Sequence, residues 1–85
     1  MIPTIGRTVI VQGISSNGAT EAPAVITRTW SQRSTAEGAV AVNVTVFPDA
    51  AAPETRTSVM LFHTRQEAAA HRGGNALALA AHWPD

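Results

Sequence analysis

The stretch AVAVNVTVF, residues 39 to 47, sets Val40, Val42, Val44 and Val46 on one side of an extended chain, and Ala41, Asn43, Thr45 and Phe47 on the other. Strict alternation of this kind is the signature of a strand with one buried face. Four β-branched residues in register predict a central strand rather than an edge. Pro48-Asp49 ends it, because proline has no N–H for the next rung of the ladder.

The same reading extends in both directions. RTVIVQGI, residues 7 to 14, predicts a first strand. Ser15-Ser16-Asn17-Gly18 follows as a turn, with Asn-Gly supplying the positive φ angles that a tight hairpin requires. AVITRTW, residues 24 to 30, predicts the second strand, with Pro23 at its edge, and Ser31 to Gly38 a polar hairpin loop. After the valine strand, Ala50 to Glu54 reads as a loop and TRTSVMLF, residues 55 to 62, as a fourth strand. At Thr64-Arg65-Gln66-Glu67 the pattern changes to Thr-x-x-Glu, a capping box in which hydroxyl and carboxylate satisfy each other's backbone amides. A short helix from Arg65 to His71, stopped by Gly73-Gly74, is expected. In ALALAAHW, residues 76 to 83, Leu77, Leu79, Ala81 and Trp83 alternate with Ala76, Ala78, Ala80 and His82. Alanine and leucine also suit a helix, but Pro84 and the order of strands favour a closing strand. The expected fold is mainly β: a small five-stranded SH3-like barrel with one short helical turn near 65–72, as a single domain over residues 1–85.

Composition narrows the function. A chain of 85 residues has a modest core, and without cysteine it has neither disulfides nor thiolate metal sites to reinforce it. A homo-oligomer is therefore expected. Net charge is zero, with six arginines against six carboxylates, which argues against a duplex-DNA binder needing a basic surplus. The absence of lysine is compatible with planar recognition of phosphate or carboxylate, but it fits better a GC-rich coding bias, which the sixteen alanines also support. No basic leader precedes a long apolar run, and no segment approaches a membrane span, so a cytoplasmic protein with no membrane partner is expected. Asn43-Val44-Thr45 matches a glycosylation sequon, but lies in a strand pattern and reads as coincidence.

Candidate chemistry is sparse. His63, His71 and His82 are separated by gaps that match no zinc pattern. Ser58 or Thr57 lacks the surroundings of a nucleophile elbow, and the carboxylates are scattered over loops. The expectation is no enzyme, no cofactor and no metal. Arg72-Gly73-Gly74-Asn75 fits either an anion-binding nest beside a guanidinium or a plain helix stop. Trp30 and Trp83 fit either base stacking or packing in a core or subunit seam. His82, opposite Trp83 on its strand, is expected to face solvent, a groove or a partner.

These residues also carry a likeness. The sequence resembles a family of small SH3-like β proteins of tailed bacteriophages and prophages. Members begin with Ile-Gly-Arg and a hydrophobic strand, as at Ile5-Gly6-Arg7 and Val9 to Val11, followed by Pro-Ala-Ile/Val, as at Pro23-Ala24-Val25. Next comes Val-Asn-Leu-x-Val-Phe-x-Asp, as at Val42-Asn43-Val44-Thr45-Val46-Phe47-Pro48-Asp49. Thr-Ser-Val, here Thr57-Ser58-Val59, precedes a close on Gly-Gly-Thr-Trp-His-Trp-Pro. This chain keeps Gly73-Gly74 and His82-Trp83-Pro84 but carries Asn75 to Ala81 where the family has Thr-Trp, so a stacking role at that position does not carry over. The resemblance implies phage origin and a barrel. Accessory phage proteins of this shape are expected to be either oligomeric binders that sequester a host nucleotide signal, acting against defence in the host cytoplasm, or minor virion and assembly components. For the binder, Arg72, Gly73 and Gly74 would hold phosphate, Trp83 or Trp30 would contact the base, and His82 and Asn43 would hydrogen-bond.

Overall fold

The computed structural model describes residues 3–30, 39–75 and 78–84. Its elements run β1 (Thr8–Ser16), β2 (Ala19–Trp30), β3 (Val40–Val46), β4 (Glu54–Phe62), α1 (Arg65–Arg72) and β5 (Ala80–His82). The five strands close into one barrel in the order β1-β2-β3-β4-β5. The expected small SH3-like barrel with a single short helix is the fold observed. The expected 31–38 hairpin loop lies outside the described residues.

The valine strand has the predicted role. Val42, Val44 and Val46 are fully buried in the barrel, while Val40 is half-buried. They meet Val9, Val11 and Ile14 of β1, Ala24 and Ile26 of β2, Val59 and Leu61 of β4, and Ala81 and Trp83 at the closing end. Each fully buried valine contributes roughly 1.5–3 kcal/mol relative to exposure, so the inward faces of the strands carry most of the folding energy.

β1 and β2 are longer than their apolar runs suggest, because the hairpin is tight. Asn17 and Gly18 take φ values of 51° and 86°, and Ser16 pairs directly with Ala19. Pro23 is thereby inside β2 rather than at its edge. It opposes Ile10 on one side, and on the other its carbonyl accepts from the Phe47 N–H at 2.9 Å. Pro23 has no N–H for the reciprocal bond, and β3 ends one residue earlier, at Val46.

Four of the five strand pairings are antiparallel, but β4 and β5 run parallel, so the chain must cross back between them. α1 makes that crossing. The capping box forms as predicted, with Thr64 and Glu67 bonding each other's backbone amides, and Gly73 closes the helix in the left-handed region. The helix covers the outer face of the sheet, burying Ala68 against Phe62, Ala39 and Ala80.

β5 is shorter than the alternation over 76–83 implies, and residues 76–77 of that stretch lie outside the described residues. Ala81 and Trp83 face the inside of the barrel, a choice the alternation alone leaves open. Gly13 makes its approach possible: a Cβ there would stand 2.3 Å from the Ala78 carbonyl oxygen.

Candidate functional site

Two β-bulges meet at Asn43. Between β2 and β3 the register slips around Thr27, so that Ile26 pairs with Val44 and Arg28 with Asn43. Between β3 and β4 it slips again, leaving Thr57 and Ser58 opposite the single residue Asn43. Ser58 absorbs the second bulge with a φ of 55°, unusual for a side chain larger than hydrogen. Its N–H, turned out of the ladder, donates to Asn43 Oδ1 at 3.0 Å. The same oxygen accepts from Trp30 Nε1 at 2.9 Å.

Arg28 and Trp30 are two residues apart on β2 and so share its outer face. The Arg28 guanidinium carbon lies 3.7 Å from the centre of the Trp30 ring, a cation–π contact. Arg28 is exposed, while Trp30 and Asn43 are half-buried. A carboxamide wedged between two bulges thus holds an indole in place on the barrel wall, with a cation over its face.

The other sequence-derived candidates lie elsewhere. The Gly73 N–H donates to the carbonyls of Ala69 and Ala70, so this amide caps the helix. Gly74 follows it in the left-handed region. Arg72 is half-buried and holds the following loop: Nε donates to the Ala78 carbonyl at 2.9 Å, and the terminal nitrogens reach Gln12 Oε1 at 3.4 Å and the Asn75 carbonyl at 3.5 Å. Trp83 is 7% exposed and belongs to the barrel core. Of the seven candidates, the structure brings Trp30 and Asn43 into hydrogen-bond contact, whereas Arg72, Gly73 and Gly74 sit at the end of α1.

His82 corrects an expectation. It does not face solvent or an open groove, being 0% exposed, because α1 crosses the outer face on which it lies. Its Nδ1 is 2.9 Å from the Trp83 carbonyl and so acts as the donor. Nε2 is buried without a hydrogen-bond partner among the described residues, and Glu21 Oε2 lies 4.0 Å from it. Glu21 is paired with Arg65, and the Arg65 hydrogen bond holds its carboxyl below its ordinary value, against the opposing effect of partial burial. Gln12 completes this seam by donating from Nε2 to the Arg65 carbonyl at 3.1 Å. The group ties α1 to β1 and β2.

Surface cavities among the described residues include two with charged side chains in their walls. One, of about 250 Å³, is lined by Phe62, Glu67, Ala70 and His71. The other, of about 210 Å³, lies between the Gly13–Ser16 end of β1 and the loop before β4, with the Arg56–Glu54 ion pair at its wall. No cluster of metal-ligating side chains forms among the described residues. Arg28 escaped the sequence reading as a site residue, although Arg28 and Trp30 at period two on a strand was a legible signal; Ser58 was weighed there only as a nucleophile, and its bulge left no signal.

Comparison of the chain with known protein families, curated proteins and solved structures returns no match.

Proposed function

We propose that this protein is a non-enzymatic, homo-oligomeric binder that captures a nucleotide-derived signal, and that the Arg28–Trp30–Asn43 platform is where the ligand sits. The observation that carries this reading is the 3.7 Å stack of a guanidinium on an indole whose N–H is already bonded to Asn43. Aromatic and guanidinium planes hold bases by stacking, and arginine adds a fixed positive charge for phosphate. Immobilising the indole beforehand lowers the ordering cost of binding. Capture needs no nucleophile or metal. The resemblance to small phage proteins gives the setting: an accessory factor in the host cytoplasm that blunts an antiphage immune signal.

Self-association is supported by the neighbouring surface. Ile10, Pro23 and Phe47 form one row across the outer faces of adjacent strands, with Val25 beside it. Phe47 is 44% exposed and Ile5 72%. The same apolar surface favours the second reading, a minor structural component of a phage particle, which predicts the protein in stoichiometric amounts in purified virions by mass spectrometry.

Isothermal calorimetry against cyclic dinucleotides and ADP-ribose derivatives tests the first reading. At least one is expected to bind with Kd of about micromolar or tighter, near −8 kcal/mol, and Trp30→Ala is expected to abolish it. No binding across the panel removes the reading.

A further inference from the structure

The platform has a hydrogen-bonding polarity that narrows its ligand further, granted the reading of it as a nucleotide site. Asn43 Oδ1 accepts from two N–H groups, Trp30 Nε1 and the Ser58 amide. Both are obligate donors, so the atom facing them is oxygen and the carboxamide has one orientation. Both lone pairs of that oxygen are engaged. The Asn43 Nδ2 group, with two donor hydrogens, makes no hydrogen bond among the described residues. Arg28, paired with Asn43 across the β2–β3 ladder, has donors only. Among the described residues, Arg28 and Asn43, the polar side chains in contact with the Trp30 ring, therefore offer a ligand donors and no free acceptor.

An unconstrained asparagine reads adenine with both ends of its amide, the oxygen accepting from N6 and the nitrogen donating to N7. Here the oxygen is occupied and that bidentate mode is closed. Guanine presents O6 and N7, two acceptors side by side, the edge that arginine pairs with most often. We propose that the Arg28–Trp30–Asn43 platform selects guanine over adenine nucleotides, with Asn43 as the residue that sets the choice. Adenine brought to the same place sets its N6 donors against Arg28 and Asn43 donors, leaving polar groups unpaired.

The test is calorimetry of the full chain with GMP, IMP and AMP. IMP keeps O6 and N7 but lacks the 2-amino group, so it should bind like GMP, and both should bind at least about tenfold tighter than AMP. Asn43→Asp retains one oxygen for Trp30 and Ser58 and places a second, an acceptor, where Nδ2 stood. It should reduce or invert the GMP-to-AMP ratio while leaving Trp30 fluorescence unchanged. Equal binding of the three wild-type ligands overturns the selectivity and leaves the nucleotide reading standing. A ratio unaltered in Asn43→Asp overturns the role of Asn43. Failure of all three to bind overturns the selectivity, and the nucleotide reading falls with it when the cyclic dinucleotides and ADP-ribose derivatives fail as well. The wild-type comparison is informative even if the variant does not fold.

Discussion

Replacing Gly13 by alanine tests how the barrel is closed. Gly13 adopts a φ of 97°, and a Cβ at this position would stand 2.3 Å from the Ala78 carbonyl oxygen and 2.9 Å from Leu79 Cδ2. The obstructing carbonyl cannot swing aside freely. It accepts from Arg72 Nε at 2.9 Å, and the Ala78 N–H donates to Asn75 at 3.1 Å. Two costs combine. A left-handed backbone at a non-glycine residue costs roughly 1–2 kcal/mol, and overpacking against an anchored neighbour about 1–3 kcal/mol. Gly13→Ala should therefore lose about 2–5 kcal/mol, out of a total of about 4–13 kcal/mol for a domain of this length. Gly18 separates the two terms: its φ is 86°, but nothing lies within 4 Å of its would-be Cβ, so Gly18→Ala should lose only about 1–2 kcal/mol. Urea unfolding followed by tryptophan fluorescence measures both, and amide exchange should show Ala80–His82 exposed selectively in Gly13→Ala. If the two variants are equally destabilised, within about 0.5 kcal/mol, the close crossing of residues 78–79 over β1 is refuted.

The Glu21–Arg65 pair predicts an acid-sensitive contribution to stability. Arg65 depresses the Glu21 carboxyl from its ordinary value of 4.5, so the folded chain binds fewer protons there than the unfolded one. The contribution is full above about 4.5 and is lost as pH falls through the lower folded value; its size is small because the carboxylate is about one-third exposed. Acid titrations of wild type and Glu21→Gln should converge below that window and diverge above it, and parallel curves would refute the coupling. Histidine modification by diethylpyrocarbonate should label exposed His63 and His71 in the native chain and spare His82, which is 0% exposed. Labelling of His82 at a rate comparable to the other two would show that α1 does not seal it.

The fold was legible because it rests on local signals of fixed period. Alternating valines, an Asn-Gly turn and a Thr-x-x-Glu box each carry their own geometry, and each appears where the sequence puts it. What was not legible came from pairing between distant segments. The extra length of β2 follows from the tightness of the 16–19 hairpin, and the end of β3 follows from a missing N–H on Pro23. Neither is visible in a window of a few residues. The orientation of β5 is a still longer-range property, since it depends on α1 crossing the sheet to run β5 parallel to β4.

The candidate residues divided for a related reason. Period two assigns side chains to opposite faces of a strand, and it put Trp83 and His82 on opposite sides correctly. It does not say whether the outward side is covered. His82 is outward from the barrel yet buried, because eight residues of helix lie over it; Trp30 is outward and half-buried, because α1 packs mainly on β4 and β5 and meets β2 through the Arg65–Glu21 pair, away from Trp30. The residues most conspicuous in the linear sequence, the histidine, tryptophan and arginine of the terminal third, are thus engaged in closing a small barrel that has no cysteine to cross-link it. The Arg28–Trp30 pair stands apart from that task. Among the described residues its side-chain hydrogen bond to the fold runs to Asn43, between the two bulges, and bulges interrupt a ladder that unbroken pairing would make more stable. A barrel of this size that keeps two of them, back to back around one carboxamide, has positioned an aromatic ring and a cation on its open wall at a cost to its own ladder, which is the physical case for placing ligand recognition there rather than at the glycine turn.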